Sequence, residues 1–113
     1  MYKIYHNSRC RKSRAGLAYL QEKVKDYQII EYLKEPLTAK QLEQILLKTG
    51  KKPFDFVRKQ EEDYKKELKG KEFTDHEWVE ILTKNPKLLE RPIVESTDKA
   101  VLAQPPEEID NIL

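Results

Sequence analysis

One cysteine stands in this sequence, Cys10, and it sits where a thiol can do chemistry: after a polar turn, His6-Asn7-Ser8-Arg9, and directly before a segment patterned as a helix. A thiol at a helix start faces backbone N–H groups with no partner inside the helix, together with the positive end of the helix dipole. Both favour the thiolate, which is the nucleophilic form. Arg9, Arg11, Lys12 and Arg14 add positive charge around it. The same turn therefore has the features of a site for a phosphate-like oxyanion. A buried structural cysteine is the competing account, but from His6 to Lys12 no side chain other than that of Cys10 is apolar. With no second cysteine there is no internal disulfide and no internal resolving thiol, so a modified Cys10 must be restored by a thiol from outside the chain.

The elements that must position this thiol follow from the patterning. Tyr2 to Tyr5 reads as a strand, Arg11 to about Lys25 as a helix burying Leu17, Leu20 and Val24, with Gly16 weakening it slightly, and Gln28 to Tyr32 as a second strand. A βαβ opening of this kind implies parallel pairing with a right-handed crossover. Thr38 and Gln41 form a capping box ahead of Leu42, Ile45 and Leu46, and Thr49-Gly50 ends that helix. Pro53 begins a short helix carrying Phe54 and Val57, and a charged stretch follows from Gln60 to Lys71. Thr74 and Glu77 make a second capping box, Phe73 and Trp78 a hydrophobic staple, and Asn85-Pro86 a stop, which predicts a helix over 75–84. Trp78 is expected in the core and His76 in solvent. Ile93 to Glu95 and Ala100 to Leu102 read as an antiparallel hairpin around Ser96-Thr97-Asp98, with a last helix from near Pro106.

The chain has 113 residues, enough for a single folded body spanning 1–113. Its charge is dense and balanced, 22 basic against 20 acidic side chains, with acids interleaved among the lysines rather than segregated. Nucleic acid is not favoured as a partner. No apolar run is long enough for a membrane span and the N-terminus lacks a signal-peptide pattern, so the expected location is the cytoplasm, with the thiol reduced. No metal site is expected, and the protein is expected to be a monomer.

The segment Tyr5-His6-Asn7-Ser8-Arg9-Cys10-Arg11-Lys12-Ser13-Arg14 resembles the active-site segment of the ArsC family of glutaredoxin-linked arsenate reductases. Val57-Arg58-Lys59 and Glu90-Arg91-Pro92-Ile93-Val94 resemble later segments of the same family, and the order of elements agrees throughout. The resemblance implies an α/β, thioredoxin-like fold: βαβ, a helical insertion at about 38–89, then ββα, with a mixed four-stranded sheet and a cis proline at Pro92. It implies that Cys10 is the nucleophile that attacks arsenate and that Arg58 and Arg91 bind the oxyanion, as guanidinium forks do. His6 and Ser13 match family positions beside the thiol. The Ser13 hydroxyl could reach the thiolate across one helical turn, and His6 could polarise the site.

No bound cofactor is implied. Glutathione would act as co-substrate, with glutaredoxin and a small oxyanion as the other partners. Two positions depart from the family: Ser8 stands where proline is common, and Gln104 stands before Pro105 where the best-described reductases carry a third arginine. Arg9 or Arg11 could compensate for that missing charge. Two other readings remain open: an Spx-like regulator that binds RNA polymerase, and a general glutathione-dependent thiol oxidoreductase without arsenate activity. Spx-like proteins commonly carry Cys-x-x-Cys, whereas here the second place is Ser13.

Overall fold

A computed structural model describes residues 1–113. The elements run β1 (Tyr2–Tyr5), α1 (Arg11–Lys23), β2 (Tyr27–Ile30), α2 (Ala39–Thr49), a 3-10 turn at Pro53–Phe56 and one π-helical turn at Tyr64–Leu68. They continue with α3 (Asp75–Lys84), a 3-10 turn at Pro86–Leu88, β3 (Ile93–Glu95), β4 (Ala100–Leu102) and a 3-10 helix at Pro106–Ile112. The chain forms two compact units: Met1–Glu35 with Arg91–Leu113, and Pro36–Glu90. No helix is long and apolar enough to cross a membrane.

The first unit holds the sheet, in strand order β2-β1-β3-β4. β1 pairs in parallel with β2, Tyr2 opposite Tyr27 through Tyr5 opposite Ile30, as the βαβ pattern requires. β1 and β3 are antiparallel, as are β3 and β4, so the sheet is mixed as expected. The hairpin between β3 and β4 closes where the Ser96 amide donates to the Lys99 carbonyl at 2.7 Å. Ile4, Leu20, Val94, Ala103, Ile109 and Ile112 form the core, with Leu17, Tyr19 and Val24 packed against it.

Several local expectations shift. α1 stops at Lys23 rather than near Lys25, because Val24 is already extended (φ −134°, ψ 152°), and β2 accordingly starts at Tyr27 and ends at Ile30. The strand can pair only as far as β1 extends, so Tyr32 falls beyond it while staying buried. The face of α1 that is fully buried is Ser13, Gly16 and Leu20, not Leu17, Leu20 and Val24. The reason lies at Gly16: a Cβ there would stand 2.5 Å from Cγ of Pro92. The residue that weakens the helix locally is the one that lets it seat on the hairpin. The last helix is of the 3-10 type, fastened where the Tyr19 hydroxyl donates to the Asp110 carboxylate at 2.8 Å. The Arg91–Pro92 peptide bond is cis as expected, and so is Gln104–Pro105, which the sequence did not suggest.

The second unit is built on α2 and α3. Both capping boxes form, on Thr38 with Gln41 and on Thr74 with Glu77, so the orphan N–H groups at each helix start are satisfied. Gly50 ends α2 in the left-handed conformation (φ 72°), which glycine adopts without a Cβ clash. Trp78 is buried, in edge contact with Phe73 at 4.9 Å between centroids and tilted against Phe54 at 5.2 Å. The expected helix at Pro53 is a single 3-10 turn, and the charged stretch acquires a π-helical turn that buries Tyr64.

Gly16→Ala should destabilise the protein by about 1–3 kcal/mol, the usual cost of forcing extra volume into a packed contact. A fall in the urea unfolding midpoint at unchanged slope is the expected reading. Thr74→Ala, which removes a helix cap, should cost about 1 kcal/mol on the same measurement.

Candidate active site

The turn that presents Cys10 is closed by its own backbone. The Cys10 amide donates to the Asn7 carbonyl at 3.0 Å, and the Arg9 amide donates to the Asn7 side-chain oxygen at 3.0 Å. Cys10 is extended (φ −96°, ψ 124°) and is the N-cap of α1, its carbonyl accepting from the Arg14 amide at 3.0 Å. An N-cap of this kind leaves the first-turn amides free to face a ligand. The first turn of α1 holds no acidic residue. In α3, by contrast, Asp75 and Glu77 complement the dipole. The positive end of α1 is thus left for something other than a carboxylate of its own.

The thiol is half-buried, and burial pushes its pKa up, but the Ser13 amide, the Arg91 guanidinium and the Lys12 amide outweigh that and the net direction is down. The neutral side chain closes no cap bond of ordinary geometry. What these groups favour is the anion. Arg91 is itself buried, just before cis Pro92 at the entry to β3.

His6 and Ser13 are both buried, and the Ser13 hydroxyl oxygen lies 2.7 Å from Nδ1 of His6. The same oxygen accepts from the Asn7 amide at 2.9 Å, and its second lone pair or its proton meets Nδ1 according to the tautomer of the ring. The hydroxyl is therefore engaged by the turn, and it is the backbone amide of Ser13 that acts on the thiolate. Burial lowers the pKa of His6 and Arg14 adds to that, with Glu31 and Ser13 opposing. The net direction is down, which keeps the ring neutral near pH 7.

Gln104 does not offer its amide to the thiol. Its Nε2 donates to the Arg91 carbonyl, and the neighbouring Ala103 amide donates to the Pro92 carbonyl at 2.9 Å, so the segment after β4 stitches the Arg91-Pro92 step in place. Arg14 donates to the Ser8 carbonyl at 2.9 Å, bracing the turn before Cys10. Arg58 lies in the second unit, its backbone held by the Leu88 carbonyl at 2.7 Å. Its guanidinium meets Glu61 at 3.0 Å and Glu90 at 4.0 Å.

Sequence reasoning missed the Gln104 tie and a buried pair one residue before His6, in which the Tyr5 hydroxyl donates to Glu95 at 2.7 Å. Burial and then Glu95 push the Tyr5 pKa far up, so the phenol stays protonated. The pair is a diagonal across the β1–β3 register, where Tyr5 lies opposite Ile93 and Lys3 opposite Glu95, and no local pattern announces it. His76 is exposed, 3.9 Å from Glu43 and 3.7 Å from Glu80. No three His, Cys, Asp or Glu side chains converge to hold a metal ion.

Iodoacetamide labelling of Cys10 should reach half its plateau rate below the free-thiol value of about 8.5. Arg91→Met should move that midpoint up, and Gln104→Ala should move it the same way by a smaller amount. A second expectation concerns stability. Because the folded pKa of His6 is depressed, the unfolded chain takes up the proton first below about pH 6.5, so stability is full above that pH and is lost as pH falls. The urea midpoint should drop over this window, and His6→Gln should flatten the drop.

These features can be set beside known proteins. The family model described as ArsC family matches residues 5–112. An arsenate reductase of Neisseria meningitidis is 34% identical, with 98% of this chain and 97% of that protein covered. The uncharacterized protein YfgD of Escherichia coli is 36% identical, with 98% and 95% covered. The solved structure of an arsenate reductase from Vibrio cholerae superposes with a TM-score of 0.91 at 33% identity, covering 99% of this chain and 97% of that one. Agreement of this extent in sequence, together with the same mixed sheet and helices, makes the chain a member of the ArsC family, with a thioredoxin-like fold.

Proposed function

We propose that this protein is a cytoplasmic thiol-dependent arsenate reductase that uses glutathione and glutaredoxin as external reductant. The observation that carries this reading is the half-buried Cys10 thiol, biased toward its anion by the first-turn amides of α1 and by Arg91. The names of the relatives in Neisseria meningitidis and Vibrio cholerae supply the oxyanion.

In the proposed cycle the Cys10 thiolate attacks arsenic(V), an oxygen leaves as water after protonation, and a sulfur–arsenic bond forms. Arg91 offers a guanidinium to the charge on the arsenate oxygens, where preorganised donors are most effective. Arg58 is assigned the same task on the family resemblance. Glutathione thiolate then attacks Sγ of Cys10; the sulfur–arsenic bond breaks and its electron pair stays on arsenic, which departs as arsenite. The two sulfurs have lost two electrons and arsenic has gained two. The resulting mixed disulfide is opened by glutaredoxin, because the chain has one cysteine and no resolving thiol. His6 and Ser13 are bonded to each other, and Ser13 also accepts from the Asn7 amide; the two hold the turn in shape and are positioning residues in this scheme.

Gln104 favours a second reading at one point. A neutral amide engaged by the Arg91 carbonyl brings no charge to an oxyanion, which suits a glutathione-dependent thiol oxidoreductase that does not bind arsenate.

The test is NADPH oxidation coupled through glutathione reductase, with glutathione, glutaredoxin and arsenate. Turnover that needs both arsenate and Cys10 is the expected result, with Cys10→Ser inactive and Arg91→Met reduced on the order of a hundredfold, the scale of losing one preorganised donor. A folded protein that oxidises NADPH equally without arsenate would overturn the arsenate assignment in favour of the second reading.

A further inference from the structure

Along the first turn of α1, starting one residue after Cys10, lies a groove of about 410 Å³ that the cycle above does not use. Arg11, Lys12 and Ala15 of α1 form one wall, and the stretch from Ala103 to Pro106 forms the other. On α1, Ala15 lies four residues after Arg11 and three after Lys12, so it neighbours both on the helix surface. The opposite wall is largely apolar, with Ala103 buried and Pro105 and Pro106 following Gln104.

Arg14 of the same helix is engaged by the Ser8 carbonyl, whereas Arg11 and Lys12 are exposed and make no ion pair within the chain. No acidic side chain lines the groove; Glu107, the next residue after Pro106, lies outside it. Two uncompensated cations on one side and proline and alanine surface on the other make a site for a small, flexible anion with an aliphatic backbone. The volume suits a tripeptide-sized molecule and is too small for a folded partner.

We propose that this groove binds the anionic tail of the small peptide thiol that restores Cys10, with Arg11 and Lys12 pairing its carboxylates and the Gln104-Pro105-Pro106 segment carrying its backbone. The proposal rests on the reading that an external thiol resolves Cys10, and it names where that thiol is held. It also gives Arg11 and Lys12 a task separate from the oxyanion: they select the reductant. A thiol without carboxylates would reach Cys10 with no help from the groove.

The probe is S-methylglutathione, which keeps both carboxylates and cannot react. Titrated into the isotopically labelled full-length protein, it should shift the amide resonances of Arg11, Lys12, Ala15, Ala103 and Gln104. The double variant Arg11→Gln, Lys12→Gln should weaken binding on the order of tenfold, the product of two exposed ion pairs. Shifts elsewhere on the chain, no binding, or equal binding by the double variant would each overturn the proposal.

A kinetic measurement checks the same point. Cys10 is first converted to its methyl mixed disulfide, and its reduction by glutathione is compared with that by 2-mercaptoethanol. The ratio of the two rates should fall on the order of tenfold in the double variant, and in Ala15→Glu, which puts a like charge in the groove, it should fall as well. An unchanged ratio would overturn the proposal, whatever happened to either rate alone. Neither measurement contains arsenate, so failure of the arsenate assignment and failure of this site are separately visible.

Discussion

The contact between Gly16 and the Pro92 ring sets where α1 lies against the hairpin, and every relation at the thiol depends on that placement. Cys10 sits at the head of the helix and Arg91 immediately before the proline, so the approach of the two backbones fixes how near the guanidinium comes to the sulfur. A Cβ at position 16 would stand 2.5 Å from Cγ of Pro92, so the helix or the proline ring would have to shift. Ser13, about one turn earlier, lies on the same buried face and is bonded to His6. Glycine is a poor helix former, and its presence mid-helix trades local propensity for this close approach.

Charge is arranged to the same end. α2 and α3 close their N-termini with capping boxes, and α3 adds acids in its first turn, so their dipoles are spent internally. α1 has a cysteine as cap, no acid in its first turn and cations on two faces. The unit therefore keeps its uncompensated positive potential at the one place where it holds a thiol. Burial works against ionisation of that thiol, and two amides and a guanidinium act in the other direction, with the net direction down. The hydroxyl of Ser13 contributes indirectly: its bonds to His6 and to the Asn7 amide hold the turn while its amide faces the sulfur. The neutral, buried imidazole completes that bracing without adding a competing positive charge.

The departure at position 104 changes the kind of work done there. An arginine at that position would bring a mobile charge, whereas Gln104 is tied to the Arg91 carbonyl and restrains the backbone on which the site's own arginine stands. Gln104 brings no charge, and its bond holds the backbone of Arg91. The same segment, constrained by Pro105 and Pro106, then forms one wall of the groove beside Arg11 and Lys12.

Much of this was legible in the sequence, because the signals involved are local. The N-cap position of Cys10, both capping boxes, the Phe73–Trp78 staple, the parallel βαβ start and the β3–β4 hairpin follow from spacing and residue type over a few positions. Other features follow from contacts between residues distant along the chain. The buried face of α1 is chosen by where Gly16 meets Pro92, the Tyr5–Glu95 pair by antiparallel register, the Gln104 tie by the return of the chain after β4, and the end of β2 by the length of β1. Periodicity marks a helix face as apolar but cannot say which residue of that face must vanish to admit a neighbour. The sequence by itself determined that a lone thiol would stand at the head of a helix among cations. Only the tertiary structure decided which groups turn toward that thiol, because burial, register and close approach are properties of pairs that the chain brings together only when folded.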